Sequence, residues 1–185
     1  MAKKRIDIQR EIKVNDVRIT KAIQDIEAAT AGDRVTIYFN DNIGGSIQDA
    51  LTLIEAIERS DPAIRIFLIF KTYAISAAAF IMCYFAFYNV VTTNVRVQLD
   101  GNVCVVYHKP RAETALHTYF ASGLFDHLQY QPVLEFIKYI TPTFDDVFDS
   151  LLTGCQSKGI RIAPHMKSVY NINGDVSVVF NGGTL

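Results

Sequence analysis

Val35-Thr36-Ile37-Tyr38-Phe39-Asn40-Asp41-Asn42-Ile43-Gly44-Gly45-Ser46 decides the fold. Its first five residues are β-branched or aromatic and predict a strand. Asn40 to Gly45 reads as a turn. Ser46 then reads as the N-cap of a helix, with Asp49 in the capping-box position. Ile47, Ala50, Leu51, Ile54 and Ile57 give that helix its apolar stripe, and Asp61-Pro62 stops it. Ala63 to Phe70 is nearly all apolar, as expected of a strand covered on both faces of a parallel sheet. Val35 to Phe70 is therefore a βαβ unit with a right-handed crossover.

Working outward, Arg5 to Val14 alternates apolar and polar residues and predicts a half-exposed strand within an amino-terminal arm, 1–15. Thr20 to Ala29 predicts a short helix ended by Gly32-Asp33. Downstream, a helix is expected over Ile75 to Tyr88. Strands follow over Val90 to Leu99 and Val103 to Tyr107, joined at Asp100-Gly101, a tight-turn signal. After His108-Lys109-Pro110 the composition turns helical through 111–155, as Glu113 to Tyr130, Val133 to Ile140 and Phe144 to Leu152. Pro132 and Pro142 punctuate these helices. Val176 to Phe180 predicts a last strand, and Asn181-Gly182-Gly183 a loose tail. No repeat of solenoid period is present. The pattern is α/β, one domain over 1–185, with a mainly parallel central sheet.

The chain has 185 residues, half of them hydrophobic, which suffices for a sizeable core. A net charge of −1 gives no electrostatic footprint for nucleic acid. Lys3, Lys4 and Arg5 form a basic start with no apolar stretch behind them, so no secretory signal is read. Cys83, Cys104 and Cys155 form neither a disulfide framework nor a metal motif. They read as two core thiols and one loop thiol, reduced, in a cytoplasmic protein. His117, His127 and His165 show no metal-type pairing, and neither metal nor cofactor is expected. Ala74 to Val91 is apolar enough to bring a membrane span into question. Its alanine and aromatic content, unbiased flanks and flanking strands favour a buried helix.

Three short segments carry chemistry. Gly44-Gly45 lies where a strand hands over to a helix, so backbone N–H groups there can meet a developing negative charge. The alternative is a turn that needs positive φ. Ser76 opens an apolar helix among small neighbours, with the Ala77 N–H as a second donor. The alternative is a serine that caps a buried helix. His108 closes an apolar strand, as a base or as an ordinary strand-end histidine.

Together, Phe39-Asn40-Asp41-Asn42-Ile43-Gly44-Gly45-Ser46, Ala74-Ile75-Ser76-Ala77-Ala78-Ala79-Phe80 and Val106-Tyr107-His108-Lys109-Pro110 resemble the motifs of the Clp protease proteolytic subunit, ClpP. The resemblance covers Val35 to Pro110. It implies the ClpP/crotonase fold: repeated ββα units, a mainly parallel sheet and a carboxy-terminal helical handle. It implies a serine peptidase acting on peptides or unfolded proteins. Ser76 would be the nucleophile, His108 the base, and Gly44, Gly45 and Ala77 the oxyanion hole.

The departures are specific. Asp41-Asn42-Ile43 stands in place of the family's Ser-Pro, and Ala77-Ala78 in place of Met-Gly. Ser76 and His108 are farther apart in sequence, which suggests an extended hairpin around Asp100-Gly101. The amino-terminal region is shorter than the family's, which implies loss of the axial loops and leaves the unfoldase partner unassigned. The place of the third triad member falls near Ser157 or Lys158, neither of which is an acid. Asp145, Asp146 and Asp149 are the nearby carboxylates, with Asp149 the candidate, although their spacing also suits a solvated helix face. The alternative function is an inactive ClpP-fold protein used in assembly or protein binding. Acyl-CoA chemistry of the crotonase type is opposed by the lack of a well-placed Glu and of a basic cluster. Apolar residues between Gln131 and Leu152 are more than one small core is expected to bury, and they predict a homo-oligomer, with a ring as first choice.

Overall fold

The computed structural model describes residues 1–113, 118–121 and 131–185. The chain is mixed α/β and forms two compact units, Met1–Val106 with Ser177–Leu185, and Tyr107–Val176.

The first unit repeats strand and helix: β1 (Lys3–Ile12), α1 (Val17–Glu27), β2 (Arg34–Gly45), α2 (Ile47–Glu58), β3 (Arg65–Ile75), α3 (Ala77–Cys83) and β4 (Val95–Tyr107). A π-helical turn, Tyr84–Tyr88, follows α3. Neighbouring strands β1 to β4 pair in parallel. β7 (Val176–Phe180) extends this sheet beyond β4, and β8 (Gly183–Thr184) pairs with β4 antiparallel. The expected loose tail is thus partly strand.

Ser46 caps α2, accepting from the Asp49 N–H, as the sequence predicts. Asp16, not singled out in the sequence, caps α1 in the same way. The core side of the sheet carries Ile8, Ile37, Phe39, Leu68 and Phe70, all fully buried. Phe39 and Phe70, register partners on β2 and β3, stack at 4.7 Å. Lys4 on this side reaches the Asp25 carbonyl of α1. The opposite side corrects the expectation of a sheet covered on both faces. Arg5, Arg65 and Arg96 are exposed there, and Arg34, Tyr38 and Phe67 are half-buried. Guanidinium groups do some of the covering: Arg5 lies 4.2 Å over the Tyr38 ring and Arg34 3.9 Å over Phe67.

One irregularity crosses the four parallel strands β1 to β4. Gln9, Asn40, Lys71 and Asp100 form a register row, and the next residue in each strand has positive φ. These are Arg10 (63°), Asp41 (48°), Thr72 (64°) and Gly101 (82°). Their spacing, 31, 31 and 29 positions, is a structural repeat that the sequence does not display. Two sequence expectations fail on this row. Asn40 to Gly45 is not a turn but the bulged end of β2. Asp100-Gly101 does not reverse the chain either: β4 runs through it, with a register shift against β3 between Lys71 and Thr72. A glycine at positive φ serves a bulge as well as a hairpin.

The expected helix over Ile75 to Tyr88 is also divided. β3 persists to Ile75, Ser76 turns the chain, and the seven residues of α3 are all buried. No helix among the described residues is long and apolar enough to cross a membrane.

The second unit contains a small hairpin, β5 (Arg111–Glu113) with β6 (Thr118–Phe120), then α4 (Gln131–Ser157) and α5 (Met166–Asn171). The hairpin replaces the start of the helix expected over Glu113 to Tyr130; 114–117 and 122–130 lie outside the described residues, with His117 and His127 among them. α4 is one helix where two were expected. Pro132 sits in its first turn, where no N–H bond is lost. Pro142 is internal, and beside it the Thr141 hydroxyl bonds the Ile137 carbonyl at 2.7 Å. The apolar stripe of α4 is largely buried, including Leu134, Ile137, Phe144, Val147, Phe148 and Leu151. An aromatic cluster explains much of this: Tyr170 of α5 stacks on Phe148 at 3.9 Å, and the Tyr107 hydroxyl bonds the Phe144 carbonyl at 3.0 Å. The surplus taken as an interface is thus core, with only Val133 and Tyr139 strongly exposed. Of the three thiols, Cys83 and Cys155 are buried and Cys104 is half-buried in β4.

The two bulge glycines should separate in a stability assay. Gly101→Ala meets nothing within 4 Å and should cost about 1–2 kcal/mol, the price of positive φ. Gly45→Ala would also drive a Cβ into the Ile12 carbonyl, so urea unfolding should show a markedly larger loss.

Candidate active site

Ser76 is a non-glycine residue held at positive φ, and its strain has a local cause. β3 ends on Ile75, whose partner across the sheet is Val106, and α3 begins at Ala77. The chain changes from strand to helix within one residue, which takes φ 56° and ψ −122°. Such backbone belongs to glycine, and a serine there costs on the order of 1–3 kcal/mol. The serine side chain makes no cap hydrogen bond, so capping does not explain it. Its N–H donates to the Val106 carbonyl at 3.0 Å, fixing the turn to β4. The residue is half-buried.

Gly44 packs directly against this turn. A Cβ on Gly44 would stand 2.6 Å from Ser76 Cβ and 2.8 Å from the Ala77 nitrogen, and would strike the Ile75 carbonyl. Only a glycine allows the β2 end to approach so closely. The structure therefore brings Gly44, Ser76 and Ala77 together. However, the Gly44 N–H already donates to Asn42 Oδ1 at 2.9 Å, and Asn42 in turn donates to the Ile8 carbonyl at 3.0 Å. Gly44 thus supplies room, not a donor, which corrects its assignment as an oxyanion contact. The Ser46 N–H bonds the Ile12 carbonyl of β1 at 2.8 Å, which ties the end of β2 to its neighbour. Ala77 is the first residue of α3, where N–H groups have no intrahelical acceptor.

His108 belongs to the second unit and is only 5 % exposed. Its Nδ1 lies 2.7 Å from the Lys109 carbonyl oxygen. Because a carbonyl only accepts, Nδ1 carries the hydrogen and Nε2 the lone pair in the neutral ring. Burial holds the imidazole pKa below its ordinary 6.5, more than the Lys109 carbonyl raises it. The charged groups acting on it are Arg111, Asp175 and Glu113, and Arg111 pairs with both carboxylates, at 3.0 and 2.7 Å.

The structure does not join Asp149 to this histidine. Both Asp149 oxygens bind Lys167 Nζ, at 2.8 and 3.0 Å, on an exposed face of α4. Asp145 binds the Tyr170 hydroxyl at 2.8 Å, and Ser157 bonds back to the Gly154 carbonyl. Among the described residues, no group of His, Cys, Asp or Glu is arranged to hold a metal ion.

The strain at Ser76 is measurable. Ser76→Gly should raise stability by about 1 kcal/mol, read as a higher thermal midpoint, since glycine accepts this backbone freely. Ser76→Ala keeps the Cβ and should show no such gain.

No protein-family model matches the chain, and no curated protein matches it.

Proposed function

We propose that the chain is a serine hydrolase of the ClpP kind, cleaving peptide bonds in peptides or unfolded proteins in the cytoplasm. The observation that carries this reading is the turn at Ser76: a strained, half-buried serine between a strand and a buried helix, with a glycine packed against its Cβ. Enzymes of this chemistry present nucleophiles on such turns. The motif order and the aligned bulges, which divide β1, β2 and β3 each before its helix, support the same fold family.

In this reading His108 Nε2 takes the Ser76 proton as Oγ attacks the substrate carbonyl carbon. The Gly45 and Ala77 N–H groups receive the oxyanion. The imidazolium then gives its proton to the leaving amine, and water releases the acyl group by the same path. His108 comes two residues after Val106, whose carbonyl holds the Ser76 N–H.

A fluorophosphonate probe should label Ser76 in the folded protein. Ser76→Ala should abolish labelling, and His108→Gln should slow it by several orders of magnitude, because such groups act as a unit. Absence of label on folded wild-type protein favours the non-catalytic ClpP-fold reading. Protonated His108 cannot accept the serine proton, so the rate should fall with acid, its midpoint below about 6.5 because burial depresses this pKa.

Self-association belongs to the same reading, but its support moves from α4 to the open sheet face. Parallel sheets are ordinarily covered on both sides. On this face one register row is Lys3–Arg34–Arg65, and Arg5 and Arg96 flank Thr36 and Phe67 in the next. With Asp7 these cations total +4 on a chain of net −1, leaving −5 elsewhere. The groove between α1 and α2, about 360 Å³, exposes Glu27, Glu55 and Asp61. A second copy docked by that groove satisfies both surfaces, and such a head-to-tail contact builds a ring when its rotation closes. In light scattering, Arg65→Glu/Arg96→Glu and Glu27→Lys/Glu55→Lys should each give monomers, and mixing the two should restore the assembly. A wild-type monomer at micromolar concentration refutes this, and single-stranded nucleic acid bound through Arg65 and Arg96 would identify a different occupant.

A further inference from the structure

A serine–histidine pair needs a group that keeps the imidazole in one tautomer, and the described residues offer His108 no carboxylate for this. Three carboxylates of the second unit come into question. Asp149 is bound to Lys167, and Asp175 and Glu113 are bound to Arg111. The ring's Nδ1 partner is the Lys109 carbonyl.

We propose that the Lys109 carbonyl takes the place of the third triad member, and that Asp145 and Tyr170 are the positioning residues that hold it there. Two features fix this carbonyl. First, Lys109 precedes Pro110, and the proline ring restricts the preceding residue to extended ψ, which sets the direction of its C=O. Second, the Lys109 side chain is clamped. Its ammonium lies 3.6 Å from Asp145 Oδ1 and 5.2 Å over the Tyr170 ring, and the side chain is 19 % exposed. Tyr170 donates its hydroxyl to the same Asp145 oxygen at 2.8 Å and stacks on Phe148 at 3.9 Å. Burial and the Asp145 bond push the Tyr170 phenol well above its ordinary pKa, so it remains a donor throughout the working range.

The clamp therefore runs from the α4–α5 aromatic stack, through Asp145 and Lys109, to the imidazole. A neutral carbonyl fixes the tautomer as a carboxylate does, but adds less stabilisation to the imidazolium. The acid of this site acts at one remove.

The catalytic meaning rests on the hydrolase reading, whereas the tautomer can be observed without it. Two-bond ¹H–¹⁵N spectra of the labelled full chain at neutral pH should show His108 protonated at Nδ1 with Nε2 bare. Asp149→Asn and Asp175→Asn should leave that pattern intact. Pro110→Ala and Asp145→Ala should mix the tautomers and lower kcat by up to about 10²-fold with KM held, and Asp145→Glu should restore both. An Nε2–H ring, or a tautomer that follows Asp149 or Asp175, overturns the proposal. If either variant fails to fold, the wild-type spectrum and the two asparagine variants still decide. A bare Nε2 together with an unlabelled Ser76 leaves the positioning intact and removes the hydrolase reading alone.

Discussion

The row of positive φ at Arg10, Asp41, Thr72 and Gly101 is the constraint on which the rest of the first unit depends. Strands joined by parallel ladders cannot bend one at a time, because a bulge in one leaves its neighbour's N–H and C=O groups unmatched. Here each strand breaks step at the same level, so mismatches are shared across the sheet. Asn42 closes the largest gap, with its amide bonded to the Ile8 carbonyl and the Gly44 N–H, and it is fully buried. Three of the four residues are not glycine, and each costs about 1–2 kcal/mol in this conformation. The beneficiaries are the short segments past the row, Gly44-Gly45 on β2 and Tyr73 to Ile75 on β3, with the turn at Ser76 beyond it. Without the shift between Asn40 and Asn42, Gly44 would not lie against Ser76.

Much of the architecture was legible because burial leaves periodic traces. The helix from Ile47 to Glu58, its Ser46 cap, the strand pairs around it and the strand Val176–Phe180 follow from stripe, cap and β-branched composition. The bulge row was not legible, because Arg, Asp, Thr and Gly share a dihedral angle and no chemistry. For the same reason Asp100-Gly101 looked like a hairpin turn: the pair reports positive φ but not whether the chain reverses. Pro142 misled in the opposite direction. Proline disfavours a helix interior, yet the buried stripe on both sides of it, Ile137 and Ile140 with Phe144 and Val147, holds α4 continuous. Tertiary packing overrode local preference.

The site shows a similar division. Gly44, Gly45, Ser76 and Ala77 stood out in the sequence because a close backbone approach and a strand-to-helix handover restrict residue type there. What each contributes did not. Gly44 looked like a donor and is a spacer, since the choice of Asn42 at a bulge consumes its N–H. The signal was the Asn at that position, whose side chain readily binds backbone two residues on. Asp145 was visible as one carboxylate among several on a helix face. Its link to Lys109 required Tyr170, whose helix, Met166–Asn171, left little periodic trace in six residues.

Burial itself explains why a carbonyl suits this histidine. A carboxylate brought against a ring that is 5 % exposed would lose most of its hydration, and only a charged imidazole would compensate it. That exchange favours a trapped proton. A carbonyl brings no charge to desolvate, so orientation comes without shifting the ring toward its protonated form. The carboxylate of Asp145 stays 44 % exposed at the side-chain level, hydrated, and works through a lysine that already bears the opposite charge. On the proposed reading the charge that orders the base is kept where water can support it, and only its geometric consequence reaches the buried ring.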